Sequence, residues 1–200
     1  YKPQESGKYH FKVFVKDQTN NKVIQSTNKV FIDLLTSEVT RSFYKNEEVF
    51  YLDVPVKYVY QPSKNGSRLL VIVFSGLHSN EYEGGSPVYN YGNSLGDIDY
   101  NKLFILDEYK GQFCYYLGHD GRHDYEKAVI ALITKIANSL DISAKNIVAC
   151  GSSKGGAAAL YFSLKYNFGT VISGSPQIFI VDFLKMIEDE PIKKALRNLT

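Results

Sequence analysis

Gly151-Ser152-Ser153-Lys154-Gly155 places a serine between two glycines in the pattern G-x-S-x-G. Apolar "NIVACG" precedes it, and the alanine-rich run Gly156 to Phe162 follows. That spacing suits a sharp strand-to-helix turn whose strained backbone lifts the central hydroxyl clear of a sheet. Residues two before and two after the serine face each other across such a turn, so both must be small. The helix that follows aims its N-terminus at the hydroxyl, and its first N–H groups favour developing negative charge. The chemistry this would serve is acyl transfer. Ser153 would attack a carbonyl carbon, and two backbone N–H groups would hold the oxyanion. One donor is the N–H of Lys154. The second comes from the loop "FSGLHSNEYEGG", where Leu77 or Gly76 supplies it. His78, in the same loop, is a candidate substrate contact or a brace for the loop. Ser152 is a wall residue.

Three fixed positions of these types recur by chance about 0.07 times in a chain of this length. Requiring a strand before and a helix after lowers that to roughly one in a hundred. A phosphate-cradling loop is excluded, because four residues would have to separate the first glycine from a Gly-Lys pair. A Ser-x-x-Lys pair is also absent, since Lys154 follows Ser153 directly; its backbone N–H matters more here than its amine. A serine nucleophile needs a base and an orienting acid, in the chain order serine, acid, histidine. All four histidines (His10, His78, His119 and His123) precede Ser153. The relay partners are therefore expected beyond Thr200. In "GHDGRHD", His119, Asp120, His123 and Asp124 read as a solvated polar loop ahead of a helix rather than a metal site. Asp107 ends a strand and reads as structural. No cofactor or metal is called for.

The elements that must position Ser153 follow from periodicity. "RLLVIVFSG", "KLFILD", "NIVACG" and "GTVISG" are continuous apolar runs of strand length, the signature of a parallel sheet buried on both faces. Between them, Val129, Ile130, Leu132, Ile133, Ile136 and Leu140 recur at helical spacing over 125–140, and 154–166 forms a second helix. A third is read in "IVDFLKMIEDEPIKKAL", interrupted at Pro191. Strands alternating with helices imply right-handed crossovers and an α/β fold covered on both faces. "VFYLDVPVKYVYQP" reads as one long alternating strand, with Pro55 marking an edge or a bulge. Earlier, "KYHFKVFVKD" alternates with period two and "KVIQSTNKVFID" returns as one or two further strands. The expected organisation is a partial β-sandwich over 1–33, a linker over 34–48, and the α/β domain over 49–200, truncated at its C-terminus. The first strands either continue a sandwich begun before Tyr1 or form a hairpin packed on the following domain. They offer a candidate surface for a protein partner.

A net charge of +2 without any basic block gives nucleic acid no electrostatic footprint. No apolar run approaches the length of a membrane span. Sixteen Tyr and twelve Phe without Trp suit either a carbohydrate-like cleft or ordinary core and strand surfaces. Cys114 and Cys150, both in apolar strand-like segments, read as buried free thiols, which favours a reducing, cytoplasmic compartment.

"GSSKGGAAALYFSLKYNFGTVISGSPQ" (151–177), with "VIVFSGLHS" (71–79) and "LFILDEYKGQFCYYLG" (103–118), resembles bacterial α/β-hydrolase-like proteins linked to capsular polysaccharide biosynthesis. It is more distantly similar to the acetyltransferase-like component of accessory secretion systems that handle glycosylated adhesins. The resemblance implies a three-layer α/β-hydrolase fold, Ser153 as nucleophile, and an acyl or acetyl ester substrate on a glycan. It also implies a histidine partner in the C-terminal portion, and a β-sandwich ahead of the hydrolase part in some relatives. The function expected is that of a serine esterase or acyltransferase. The alternative is a non-catalytic module of the same fold that binds a glycan or a protein and keeps the turn only for packing.

Overall fold

The computed structural model describes residues 7–11, 14–16, 23–26, 30–34, 45–77, 87–92 and 94–180. The chain divides into two compact units, Tyr1–Lys45 and Asn46–Thr200. In the first, β1 (Gly7–Phe11) pairs antiparallel with β4 (Val30–Leu34), and β2 (Phe14–Lys16) pairs antiparallel with β3 (Val23–Ser26). The stretch expected as one strand is thus two, in separate two-stranded sheets. Period-two alternation reports which way side chains point and carries no information about which partner each half chooses.

The second unit is built on a six-stranded sheet of order β10-β9-β7-β8-β6-β5. Its strands are β5 (Glu47–Tyr51), β6 (Pro55–Gln61), β7 (Leu70–Phe74), β8 (Asn101–Ile105), β9 (Ile147–Ser152) and β10 (Thr170–Gly174). The four strands β7 to β10 run parallel, and β5–β6 is an antiparallel hairpin joined to β8. The single strand expected over 49–62 is therefore folded back on itself. Leu52–Val54 make the bend, and Pro55 is the first residue of β6, where its missing N–H removes little.

Among the described residues, two α-helices cover one face. α1 (Asp124–Ser139) buries Tyr125, Ala128, Val129, Leu132 and Ile133, and α2 (Lys154–Tyr166) buries Ala158, Ala159 and Phe162. These join Leu70, Ile72, Phe74, Leu103, Ile105, Ile147 and Ala149 in a single apolar cluster. Both helices lie on the same side because β8 to β9 and β9 to β10 step the same way across the sheet, and right-handed crossovers then share a face. β7 to β8 steps the opposite way, and the described later part of that connection, 87–92 and 94–100, lies over the other face. There it meets the alternate side chains of the strands, and Leu95 and Ile98 with Val71, Val148, Cys150 and Ile172 line a cavity of about 520 Å³. The third expected helix and His78 lie outside the described residues.

At the amino ends of the parallel strands, side-chain acceptors tie the turns together. Asp99 accepts the N–H groups of Lys64 and Asn65, at 2.7 and 3.2 Å. Asn101 accepts Tyr60 Oη–H and the N–H of Ser63, at 2.9 and 3.1 Å. The exposed turn at Gly66 (φ 68°) sits in this group with open space around it. Among the described residues no helix is long and apolar enough to cross a membrane.

Candidate active site

Ser153 stands between β9 and α2 at φ 53° and ψ −120°, a conformation few L-residues adopt. Three backbone hydrogen bonds pin it there. Its N–H donates to Gly174 O of β10 at 2.9 Å. Its carbonyl accepts the N–H of Ala157, at 3.0 Å, and that of Gln177, at 3.2 Å. The side chain is half-buried at the carboxyl edge of the parallel strands.

The flanking glycines sit where no Cβ could. A methyl on Gly151 would lie 2.5 Å from the carbonyl carbon of Gly155 and 2.9 Å from Phe74 O. One on Gly155 would run into Phe74 O, with Ser75 C at 2.9 Å. Gly156 approaches β10 in the same way, with Ser173 Oγ and Gly174 O at 2.9 and 3.0 Å from its missing Cβ. The helix start is thereby pressed against the ends of β7, β9 and β10 at once.

The loop after β7 passes beside this turn. Gly76 donates its N–H to Asn90 Oδ1 at 2.6 Å, so that amide is engaged within the protein. Leu77 is half-buried, and among the described residues no hydrogen bond takes its N–H. Ser152 Oγ accepts a short hydrogen bond from Tyr91 Oη and forms part of the wall of the cavity over the opposite face.

Lys154 turns inward. Its ammonium reaches Asp107 Oδ2 at 2.9 Å, and both side chains are 0% exposed. The Nζ also lies over the rings of Phe113 and Tyr116, 5.4 and 5.8 Å from their centroids. Asp107 collects further donors from the loop after β8. Oδ1 accepts the N–H groups of Cys114 and Tyr116, at 3.0 and 3.2 Å, and the Cys114 thiol at 3.2 Å. Oδ2 accepts the N–H of Tyr115 at 3.0 Å. Tyr115 and Tyr116 both take positive φ, 54° and 62°, which turns consecutive N–H groups toward one anion. Burial, and then the charge of Asp107, pushes the Tyr116 phenol and the Cys114 thiol well above their usual ranges, so both stay protonated. Sequence reasoning marked Asp107 as structural and Lys154 for its amide alone. The pairing of the two side chains was not visible, because they stand 47 positions apart, after two strands that β7 separates in the sheet.

His119 and His123 are placed elsewhere. His119 is buried, edge-on to Tyr109 at 4.9 Å, with Nε2 3.4 Å from Phe113 O. His123 begins α1, and its Nδ1 lies 3.0 Å from Glu126. The loop expected to be solvated is thus partly folded into the core. Asp124 accepts Tyr109 Oη–H at 2.6 Å. Among the described residues, no three His, Cys, Asp or Glu side chains converge as a metal site.

No protein-family model matches the sequence, and no curated protein matches it either. Solved structures do match in shape. One is a mutant of the capsule O-acetyltransferase of Neisseria meningitidis serogroup A, in complex with CoA. It superposes with a TM-score of 0.58 at 21% identity, over 76% of this chain and 62% of that one. A second is the Glycosylation Associate Protein (Gap123) complex from Streptococcus agalactiae, with a TM-score of 0.58 at 12% identity, over 92% of this chain and 43% of that one. A third is the fluorophosphonate-binding serine hydrolase F of Staphylococcus aureus, with a TM-score of 0.52 at 11% identity, over 96% of this chain and 67% of that one. The chain spans 62% of the first protein's length and 43% of the second's. With a mostly parallel six-stranded sheet, helices packed on it and these neighbours, the chain has the α/β-hydrolase fold.

Proposed function

We propose that this chain belongs to a serine esterase or acyltransferase acting on acyl or acetyl esters of a glycan, with Ser153 as its nucleophile. The observation that carries the reading is the backbone of Ser153: a non-glycine residue held at φ 53° and ψ −120° by three hydrogen bonds, at the carboxyl edge of a parallel sheet. Strain at a single residue, fixed from three sides, marks a position kept for its side chain.

In the reaction, Ser153 Oγ attacks the acyl carbonyl carbon as its proton passes to a general base. The carbonyl π pair moves onto oxygen, and the N–H groups of Lys154 and Leu77 hold the resulting oxyanion. Collapse expels the alcohol, which takes the proton back from the base, and leaves an acyl-serine ester. Water or a sugar hydroxyl then attacks that ester, giving hydrolysis or transfer, and the serine regains its proton. Leu77 serves better than Gly76 because Asn90 already holds the Gly76 amide. Neither His119 nor His123 contacts Ser153, and the general base of this proposal is the histidine that the resemblance implies in the C-terminal portion. The glycan acceptor and the link to capsule or adhesin chemistry draw support from the named acetyltransferase and glycosylation-associated neighbours.

An alkyl fluorophosphonate probe applied to the full-length protein tests this directly. Oγ should displace fluoride from phosphorus, and the adduct should map to Ser153 and vanish in Ser153→Ala. A correctly folded wild type that takes no label leaves the non-catalytic binding module as the reading.

A further inference from the structure

We propose that Asp107 is the positioning residue of this site: one buried carboxylate that sets both oxyanion donors and the serine backbone through three separate arms. This deepens the nucleophile reading and rests on it.

The first arm is the ion pair to Lys154, which fixes the residue whose own N–H opens α2 beside Ser153. The second runs through Tyr116, whose N–H donates to Asp107. Tyr116 Oη accepts the Ser75 N–H at 2.6 Å and lies 3.1 Å from Ile105 O, clamping the start of the loop that carries Leu77. The third runs through Tyr115, whose N–H also donates to Asp107. Tyr115 Oη donates to Gln177 Oε1 at 2.7 Å, and the Gln177 N–H holds Ser153 O.

Asp107 touches no reacting atom. Its part is to give the turn, the loop after β7 and the segment after β10 a common origin. The nest of N–H groups at 114–116 exists only while two tyrosines hold positive φ, and the carboxylate is what those amides point at. An ion pair wholly inside the protein contributes little net stability over an apolar pair of the same volume, so its presence at this spot calls for another purpose. Fixing two amides to within a fraction of an ångström is such a purpose, because a displacement of about 1 Å costs roughly a hundredfold in rate.

The test compares full-length wild type with Asp107→Asn, Lys154→Met, the double variant and Tyr116→Phe. Two quantities are read for fluorophosphonate labelling of Ser153: the rate constant and the final fraction labelled. kcat and KM for p-nitrophenyl acetate are read alongside. The expected result for the charge variants is a rate constant and kcat lowered about 10- to 100-fold, with KM within about twofold and the labelled fraction near that of wild type. Tyr116→Phe, which removes one oxygen and keeps the ring in the core, should lose about three- to tenfold by the same measure. If single charge variants fail to unfold cooperatively, the double variant and Tyr116→Phe decide. A labelled fraction that falls while the rate constant of the folded molecules stays at the wild-type value means a purely structural role and overturns the proposal. Wild type that takes no label refutes the nucleophile reading instead, which separates the two failures.

Discussion

Ser153 cannot relax to an ordinary backbone conformation, because Gly155 is pressed against the end of β7 and Gly174 holds the serine's own amide. A change as small as Gly155→Ala must therefore move backbone rather than a flexible side chain: Phe74 C would lie 2.8 Å from the new methyl. It should cost about 1–3 kcal/mol in urea unfolding, and it should slow fluorophosphonate labelling far more than the stability loss explains. Unchanged labelling kinetics in this variant would show that the turn tolerates the shift. The need for small residues at 151 and 155 was legible in the sequence, since it follows from a bend in one short segment. The Asp107–Lys154 pair was not. It is made by side chains from two connections that meet only after the sheet has assembled.

At the scale of elements, α1 and α2 are joined by one acid. Glu126, 2% exposed in the first turn of α1, accepts Tyr166 Oη–H at 2.5 Å, Lys165 Nζ at 2.6 Å and Tyr161 Oη–H at 3.1 Å from the last turns of α2. Burial alone would raise its pKa. The hydrogen bonds from Lys165, Tyr166 and Tyr161 outweigh it and hold the carboxyl below its ordinary 4.5. The same contact, through the Glu126 hydrogen bond, holds Lys165 above its ordinary 10.5. A depressed carboxyl contributes stability that is complete above its unfolded value and is lost as pH falls through the folded one. The lysine's share is complete below 10.5 and fades as pH rises through its raised value. Glu126→Gln should therefore cost about 1–3 kcal/mol at pH 7. The gap between variant and wild type should close in acid below pH 4.5, followed by urea titrations across that range. A gap of constant size down to pH 3 would mean the carboxylate form contributes nothing. The helices themselves were legible from apolar spacing within two residues at either end. Glu126 was not singled out, because a lone acid in a first turn reads as a dipole partner until the second helix is in place.

At the scale of the molecule, the two thiols report on different depths. Cys150 borders the cavity on the open face, and burial pushes its thiol up to about 11, so roughly one molecule in a thousand is ionised there at pH 8. Cys114 is 0% exposed within the loop after β8. With Ellman's reagent at pH 8, native protein should lose Cys150 slowly and Cys114 only at the rate of global opening, while both react at once in urea. Fast loss of both in native protein would show that the core opens locally around Asp107. The parallel sheet was legible from four apolar runs, but two of its features were not. The hairpin at Leu52–Val54 hid inside an unbroken alternation, and the pairing of the first four strands depends on partners that periodicity does not name.

The amino ends of the parallel strands, knitted by Asp99 and Asn101 around the open turn at Gly66, lie a full strand length from Ser153. A dye, an affinity handle or a tether to a solid support attached at that turn would leave the serine facing outward. That exposed turn is a mounting point at the opposite end of the strands from Ser153.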